Sequence, residues 1–251
     1  MKRRMWILFP AACLMALSQE KAPQEALPKA ETILDRFVEV TGGKAAYDKR
    51  KGEVATLEIE FVGRGIKGTM TRYADRSGNS ISEGEFEGIG KLAEGVYNGQ
   101  AWDANPMTGA RVKSGGEAAD AVRDAKMNSQ VEWRKYYKAE TLGLEKVGDE
   151  DAYKVAITPI GEGKGQTNWY SKKSGLMLKT SRVISNPMGE IPMEVTVGEY
   201  GTYGDLKMPK KLTNSIMGTQ MAITLVSVKT DDDIPKEKFE PPAEVKKLLA
   251  K

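Results

Sequence analysis

The 251-residue sequence contains no histidine. The chain therefore has no Ser-His or Cys-His nucleophile pair, no histidine general base and no zinc or haem site that uses histidine. A hydrolase built on two carboxylates remains open, but no acidic residue lies in the kind of apolar sequence setting that tunes a catalytic carboxylate. We predict no catalytic residue and expect a protein that is not an enzyme.

Cysteine is nearly absent as well, because Cys13 is the only one. It lies in an apolar run, residues 5–17, that follows the basic residues 2–4, and small residues precede a cleavage site after Ser18. This pattern predicts a Sec signal peptide over residues 1–18. Lipid modification of Cys13 is the less favoured alternative, because Pro10 stands where a lipoprotein signal has a leucine-like residue. Cleavage after Ser18 leaves no thiol and therefore no disulfide.

Long hydrophobic runs and an excess of charge are also missing. Once residues 2–4 are removed with the signal peptide, basic and acidic residues balance. A chain without a basic excess lacks the electrostatic footprint of a nucleic-acid-binding protein. No later run reaches the roughly 20 apolar residues of a membrane-spanning helix. We expect a mature chain without a transmembrane segment, located in the periplasm or secreted.

What the sequence has is alternation. Between residues 169 and 228, apolar and polar residues alternate with the period of two that is typical of half-buried strands. Residues 172–175 separate two such runs and predict a hairpin turn. Further strands are predicted at residues 55–61, 66–73, 79–86, 89–97, 100–103, 141–147 and 152–158.

Helical periodicity is confined to a few segments. A helix is predicted from Lys29, with an apolar stripe that includes Phe37 and a stop at residues 42–43. A second helical region, residues 116–137, follows Ser114 as a candidate N-cap and is expected to break near Asn128. A short lysine-rich helix is expected at residues 243–249.

The order of these elements predicts the fold class. Successive strands have no helix between them, so a parallel sheet is excluded. We predict an α+β fold that is mostly β, with a large antiparallel sheet and two helical segments. After a flexible leader at residues 19–28, residues 29–251 form a single domain.

Two motifs suggest cofactors but fail on context. Residues 63–68 fit G-x-G-x-x-G, yet a strand-like segment follows them, and a dinucleotide fingerprint must open a helix. Residues 231–233 are three consecutive aspartates without the spacing of a calcium loop. We predict neither a cofactor nor a metal.

Methionine is concentrated in the last strands, at Met193, Met208, Met217 and Met221. Methionine fills irregular cores and also lines adaptable binding cavities. Both readings stay open. The predicted helices are few compared with the strands and can cover only part of the sheet, which favours a ligand on the remainder.

The element order is similar to that of a known family. The signal peptide, the helix ending in Gly42-Gly43, the meandering strands, the hairpin at residues 170–177 and the ending at residues 234–242 resemble the LolA-like bacterial outer-membrane lipoprotein-sorting family. The resemblance implies an unclosed, strongly curved half-barrel, with the helical segments covering its concave face as a lid over a cavity for acyl chains. It also implies an arginine on an early strand that holds the lid. Arg72 lies in the comparable region, without the proline that accompanies it in the family.

The predicted function is therefore lipid or acyl-chain binding without catalysis, and the role that this suggests is that of a lipoprotein or lipid carrier. The alternative is a scaffold or sensor that binds another envelope protein through its open sheet or concave face. The candidate cavity wall comprises Met70, Trp102, Trp169, Leu178, Met193, Val195, Leu212, Met221 and Ile223. The candidate lid contacts are Arg72, Phe37 and Val122.

Overall fold

The computed structural model describes residues 26–186, 189–230 and 233–250. The predicted signal peptide with Cys13, its cleavage site and most of the leader lie outside the described residues, as do Asp231 and Asp232. Within the described part of the chain, no helix combines the length and apolar character needed to cross a membrane.

Thirteen strands and five α-helices make up the described residues, so the fold is α+β and mostly β, as predicted. The strands are β1 Gly52–Phe61, β2 Ile66–Asp75, β3 Ser80–Phe86, β4 Gly90–Tyr97, β5 Gln100–Asn105, β6 Gly109–Val112, β7 Tyr137–Val147, β8 Glu150–Pro159, β9 Gln166–Ser171, β10 Met177–Asn186, β11 Gly189–Tyr203, β12 Leu206–Ile216 and β13 Thr219–Lys229. The helices are α1 Ala30–Val40, α2 Gly43–Lys49, α3 Gly115–Asp124, α4 Trp133–Tyr136 and α5 Ala243–Leu249, with a 3-10 turn at Lys236–Phe239.

The second helical region differs in detail from the prediction. It consists of α3 and α4, separated by turns around Asn128, whose φ of 68° breaks the helix where the sequence predicted. Ser114 does precede α3, but its side chain makes no capping hydrogen bond. The four-residue strand β6 was not predicted, because it is short and follows a turn directly.

All thirteen strands belong to one sheet, in the order β6-β5-β4-β3-β2-β1-β13-β12-β11-β10-β9-β8-β7. Two antiparallel meanders, β1–β6 and β7–β13, are joined where β1 pairs with β13. Every neighbouring pair is antiparallel. Within the described residues β6 and β7 are the two edges and do not pair with each other, so the sheet is unclosed.

The helix α3 reveals the curvature of the sheet. It packs against β4 and β5 and also against β10. Six strands lie between β4 and β10 in the sheet. Because a ten-residue helix can reach both only if the sheet bends around it, the sheet is strongly curved and α3 lies on its concave face.

The concave face has a buried core at the β7–β9 end. There α1 packs Ile33 and Leu34 against Val155 and Tyr170, and Trp133 of α4 completes the cluster. These strand residues share a face because Val155 pairs with Asn168, two residues from Tyr170. The helices α1 and α4 therefore cover the far strands of the second meander.

The convex face has a separate core over the first meander. Trp102 of β5 and Ile81 of β3 pack against Phe239 of the 3-10 turn and Val245 of α5. Trp102 is fully buried there. The C-terminal segment thus covers the outer surface of the sheet and leaves the concave face to the other helices.

The glycine motif at residues 63–68 has a packing role. Gly63 and Gly65, with φ values of 74° and 67°, form the turn between β1 and β2. Gly68 lies under the ring of Phe86, and an added Cβ would also come within 2.6 Å of the Glu85 carbonyl oxygen. The motif therefore forms a hairpin with a close aromatic contact.

Candidate functional site

A band of apolar side chains crosses the concave face at the centre of the sheet. The register pairs Val197 with Leu212, Leu212 with Ile223 and Ile223 with Ile59. Directly paired residues in antiparallel strands project to the same face, so these side chains form a row. We call the set the apolar band; its members are Leu57, Ile59, Phe61, Met70, Met193, Val195, Val197, Leu212, Ile216, Met221 and Ile223.

The helices do not bury this band. Ile59 is buried, while the other members are half-buried. None of them belongs to, or packs against, the four buried clusters that the described residues form. Apolar side chains that line a concave surface without a covering helix provide a wall for a ligand.

A cavity of about 610 Å³ lies below α3 and borders this band at two of its members. Met70 and Met193, from opposite sides of the band, both line it. Leu92, Ile184 and Tyr137 add apolar surface. The volume falls in the range of roughly 300–1,000 Å³ that is usual for sites that take small molecules.

The part of the cavity below α3 is polar. Arg72, Glu94 and Asp103 line it from β2, β4 and β5, and Arg182 faces them from β10. Acidic and basic side chains occur together, so the cavity combines an apolar wall with a charged but mixed end. Such a division suits an amphiphilic ligand better than a purely apolar one.

The guanidinium of Arg111 organises the charges at this end. It lies 2.5 Å from a carboxylate oxygen of Asp103 and 2.5 Å from one of Glu117. The hydrogen bond to Glu117 is the main reason that the pKa of Arg111 is raised. Burial outweighs the attraction of Arg111 and Lys113 and raises the pKa of Asp103.

Among the buried polar atoms of the described residues that lack a hydrogen-bond partner, two belong to strand residues on the concave face: Nε of Arg182 and Oδ1 of Asn214. Asn214 is paired with Val195 on one side and Met221 on the other, so its amide lies within the apolar band. Buried polar atoms are normally hydrogen-bonded. Neither atom is open to a ligand in this arrangement, because both are buried.

Both ends of α3 are tied to the sheet by ion pairs. Near its N-terminus, Glu117 accepts hydrogen bonds of 2.7 and 2.5 Å from Arg111 of β6. At its C-terminus, Asp124 lies 2.7 Å from Arg182 of β10. These pairs fix α3 across the opening between the two meanders, in the position of a lid.

The loop between β8 and β9 provides another attachment for α3. The backbone N–H of Lys164 donates to both carboxylate oxygens of Asp120, at 3.0 and 3.1 Å. Arg123, one turn further on, donates to the carbonyl of Glu162 at 3.1 Å. The lid therefore rests on both edges of the concavity.

Arg72 reaches the helical region through other residues. Its Nη1 donates to Glu53 at 3.0 Å, and Glu53 also pairs with Arg50. Arg50 in turn donates at 3.1 Å to Asn128, which donates to the carbonyl of Tyr47 in α2. The residues thus connect β2, β1, α2 and the turn after α3.

No protein-family model matches the sequence, and no curated protein matches it. Solved structures do match. A DUF1329 family protein from Desulfovibrio piger superposes with a TM-score of 0.57 at 16% identity, over 85% of this chain and 98% of its own. A LolA superfamily protein from Nitrosomonas europaea gives a TM-score of 0.56 at 14% identity, over 86% and 99%. A putative outer membrane lipoprotein-sorting protein domain from Vibrio parahaemolyticus gives 0.55 at 15%, over 88% and 100%.

The chain has a LolA-like fold. The resemblance inferred from the sequence is thereby confirmed for the fold, and identities this low carry the likeness no further.

Within the LolA-like fold, the predicted wall residues divide between the two faces. Six of them belong to the apolar band: Met70, Met193, Val195, Leu212, Met221 and Ile223. Trp102 lies in the convex core, and Trp169 lies outside the cavity between Lys154 and Lys179. Leu178 lies at a β-bulge and does not line the cavity.

Of the predicted lid contacts, Phe37 of α1 packs edge-on against Tyr170, with 5.4 Å between ring centroids. Val122 of α3 packs against the cluster of Val96 and Ala101. Arg72 lines the cavity and bonds to Glu53.

Sequence reasoning named Arg72 but missed the other residues at the polar end of the cavity. Arg111 and Arg182 come from strands at distant places in the sheet, and only the fold brings them to one helix. The described residues contain no group of three or more side chains placed to hold a metal ion. In their observed arrangement, the site residues can enclose an amphiphile and pair with its polar group.

Proposed function

We propose that the protein is a non-enzymatic lipid- or acyl-chain-binding protein of the bacterial periplasm that carries a lipid, or the acyl chain of a lipoprotein, within the cell envelope. The observation that carries this proposal is the continuity of the apolar band with the cavity below α3, through Met70 and Met193. The LolA-like fold is consistent with it.

Apolar burial supplies the driving force for binding. At about 25 cal/mol per Å², a chain that buries on the order of 300 Å² gains about 7 kcal/mol before the entropic cost of association. An acyl chain lying along the band meets Val195, Leu212 and Ile223 in turn. Its polar group then lies toward Arg72 and Arg182 at the charged end.

The predicted signal peptide supports the periplasmic location. Export across the membrane would also bring the protein to the compartment in which envelope lipids are exchanged.

Lipid analysis of the purified protein tests the proposal. The protein is extracted with organic solvent, the extract is examined by mass spectrometry, and uptake of a fluorescent fatty acid is titrated. We expect a co-purified lipid or saturable uptake of the probe. An empty extract together with no uptake contradicts the proposal.

A second candidate is a module that binds another envelope protein by strand addition. It is favoured by β7, an eleven-residue edge strand whose outer side pairs with no described strand. Its Leu142 and Leu144 are exposed. Edge strands of this length pair readily with an added strand. Recovery of one stoichiometric partner by the tagged protein, lost when Gly143 is replaced by proline, combined with an empty lipid extract, supports this candidate over the first.

A further inference from the structure

The connections between strands fall at two ends of the half-barrel, because neighbouring strands are antiparallel. At one end, which we call the rim, lie residues 62–65, 87–89, 106–108, 160–165 and 217–218. At the other end lie residues 76–79, 98–99, 148–149, 172–176 and 204–205. A hydrogen bond of 2.9 Å from Val62 to Gln220 and one of 3.0 Å from Arg64 to Thr219 hold two of the rim connections side by side.

The rim presents apolar side chains at its tips. Val62, Met107, Ile160 and Met217 are 50%, 80%, 51% and 72% exposed. They come from four different connections. None of the exposed large apolar side chains in the described part of the chain lies in a connection at the opposite end. Among the connections between strands, exposed large apolar side chains therefore occur at the rim and not at the opposite end.

Two turns of the same geometry sharpen this contrast. Asn98-Gly99 at the opposite end has φ values of 50° and 78°, and Met217-Gly218 at the rim has 49° and 76°. Asparagine adopts this left-handed conformation at little cost, whereas an ordinary side chain such as methionine is strained in it. At the rim, the exposed Met217 occupies a backbone position that favours asparagine. The conformation of the turn therefore does not explain why a methionine is present there.

The cavity extends to this rim. Met107 and Thr108 of the β5–β6 connection and Lys164 of the β8–β9 connection line the cavity. One of the apolar tips, Met107, therefore lies at an opening of the cavity, and Lys164 borders the same opening from the other meander.

We propose that the rim docks on the surface of a zwitterionic lipid bilayer, with Val62, Met107, Ile160 and Met217 inserted into the interface. Single side chains on short separate turns suit shallow insertion, of about 5–10 Å, better than the contiguous patch that a protein partner buries. The proposal adds to the proposed function without resting on it, since docking requires no ligand in the cavity.

The charged residues at the rim indicate whether a zwitterionic or an anionic bilayer is the better partner. The charged residues at or beside the rim include both signs: the basic ones are Arg64, Lys67, Lys91 and Lys164, and the acidic ones are Glu60, Glu85, Glu87, Glu162 and Glu190. The acidic residues oppose attraction to an anionic surface. Docking should then depend on the apolar tips and be insensitive to salt.

Co-sedimentation with phosphatidylcholine vesicles tests the proposal. The chain from Gln19 onward is used, because it contains every described residue and lacks the predicted signal peptide. The triple variant Val62→Ser, Met107→Ser, Met217→Asn should partition about tenfold or more weakly than the wild type. The control Leu142→Ser, Leu144→Ser, Val226→Ser removes three exposed apolar side chains that lie outside the rim and should partition as the wild type does.

The single variant Met217→Asn separates weaker vesicle binding from a loss of folding. It should bind vesicles more weakly while its melting temperature is unchanged or higher, because asparagine relieves the strain at φ 49°. Binding should persist at about 1 M salt, where charges are screened within about 3 Å. No vesicle binding by the wild type, equal binding by the rim and control variants, or binding only to anionic vesicles and lost in salt each overturns the proposal. A lipid taken into the cavity stays with soluble protein and does not add to the pellet.

Discussion

Arg72 and Glu53 lie diagonally across β2 and β1, with 3.0 Å between the guanidinium Nη1 and the carboxylate Oε1. The Glu53 side chain is only 3% exposed and bridges Arg72 to the equally enclosed Arg50. One carboxylate therefore balances two guanidinium groups beside the cavity, and it links the wall to the turn after α3 through Arg50 and Asn128.

The first prediction concerns this bridge. Glu53→Gln should lower the free energy of unfolding by about 3 kcal/mol, because it leaves the buried Arg50 without a compensating charge. Urea denaturation measures the loss. Glu58→Gln, at an exposed position of the same strand, is the control and should change stability by less than about 0.5 kcal/mol. Equal effects of the two substitutions would show that the bridge does not stabilise the fold.

The second prediction concerns the apolar band. The double variant Leu212→Gln, Ile223→Gln places two amides at a directly paired position on the concave face. It should weaken uptake of a fluorescent fatty acid about tenfold or more, because the bound acyl chain would cover the two amide groups and leave them without hydrogen-bond partners. Thr213→Gln, Ala222→Gln alters the adjacent pair on the opposite face and should bind as the wild type does. Melting temperatures of both variants show whether a loss of binding comes from unfolding.

The third prediction concerns Gly68. Gly68→Ala should destabilise the protein by about 1–3 kcal/mol, because the new methyl group meets the Phe86 ring and the Glu85 carbonyl. Adding Phe86→Leu should restore part of the loss. Gly143→Ala is the matched control, since a Cβ there meets no other heavy atom within 4 Å. Thermal unfolding compares the variants, and a Gly68→Ala protein as stable as the wild type would exclude the close contact.

The fourth prediction concerns alkaline pH. Burial raises the pKa of Tyr170 from 10.0 to about 12. Between these values the folded protein keeps a proton that the unfolded chain has lost, so the stabilisation is complete below pH 10 and is lost as the pH rises toward 12. Two pKa units correspond to roughly 2–3 kcal/mol. The stability of Tyr170→Phe should therefore fall less steeply with pH than that of the wild type, as measured by denaturation from pH 9 to 12. Parallel pH profiles would contradict the assignment.

Much of the fold could be predicted because its strands alternate clearly. Met193 and Val195 are two residues apart, as are Met221 and Ile223, so the sequence alone places each pair on one face of its strand. These four are among the six predicted wall residues that belong to the apolar band. The alternation of apolar and polar residues along a strand does not reveal which face of the sheet is concave. The C-terminal segment decides this for Trp102, since it covers that side of β5.

Apart from Arg72, the polar end of the cavity could not be predicted, for a different reason. Arg182 meets Asp124 only because the curved sheet brings β10 beneath α3. No local pattern encodes this contact, whereas the turn at Asn98-Gly99 is encoded by its own two residues.

The pairing of β1 with β13 also has a consequence for biogenesis. Ile59 pairs with Ile223, which is far away in the sequence. Because closing such a long loop is entropically costly, the pairing of β1 with β13 should form late in folding. Each meander can assemble from local hairpins before then. Until β13 arrives, β1 remains an unpaired and partly apolar edge, which is a template for aggregation. A chaperone that shields this edge of β1 until β13 has emerged would lower that risk.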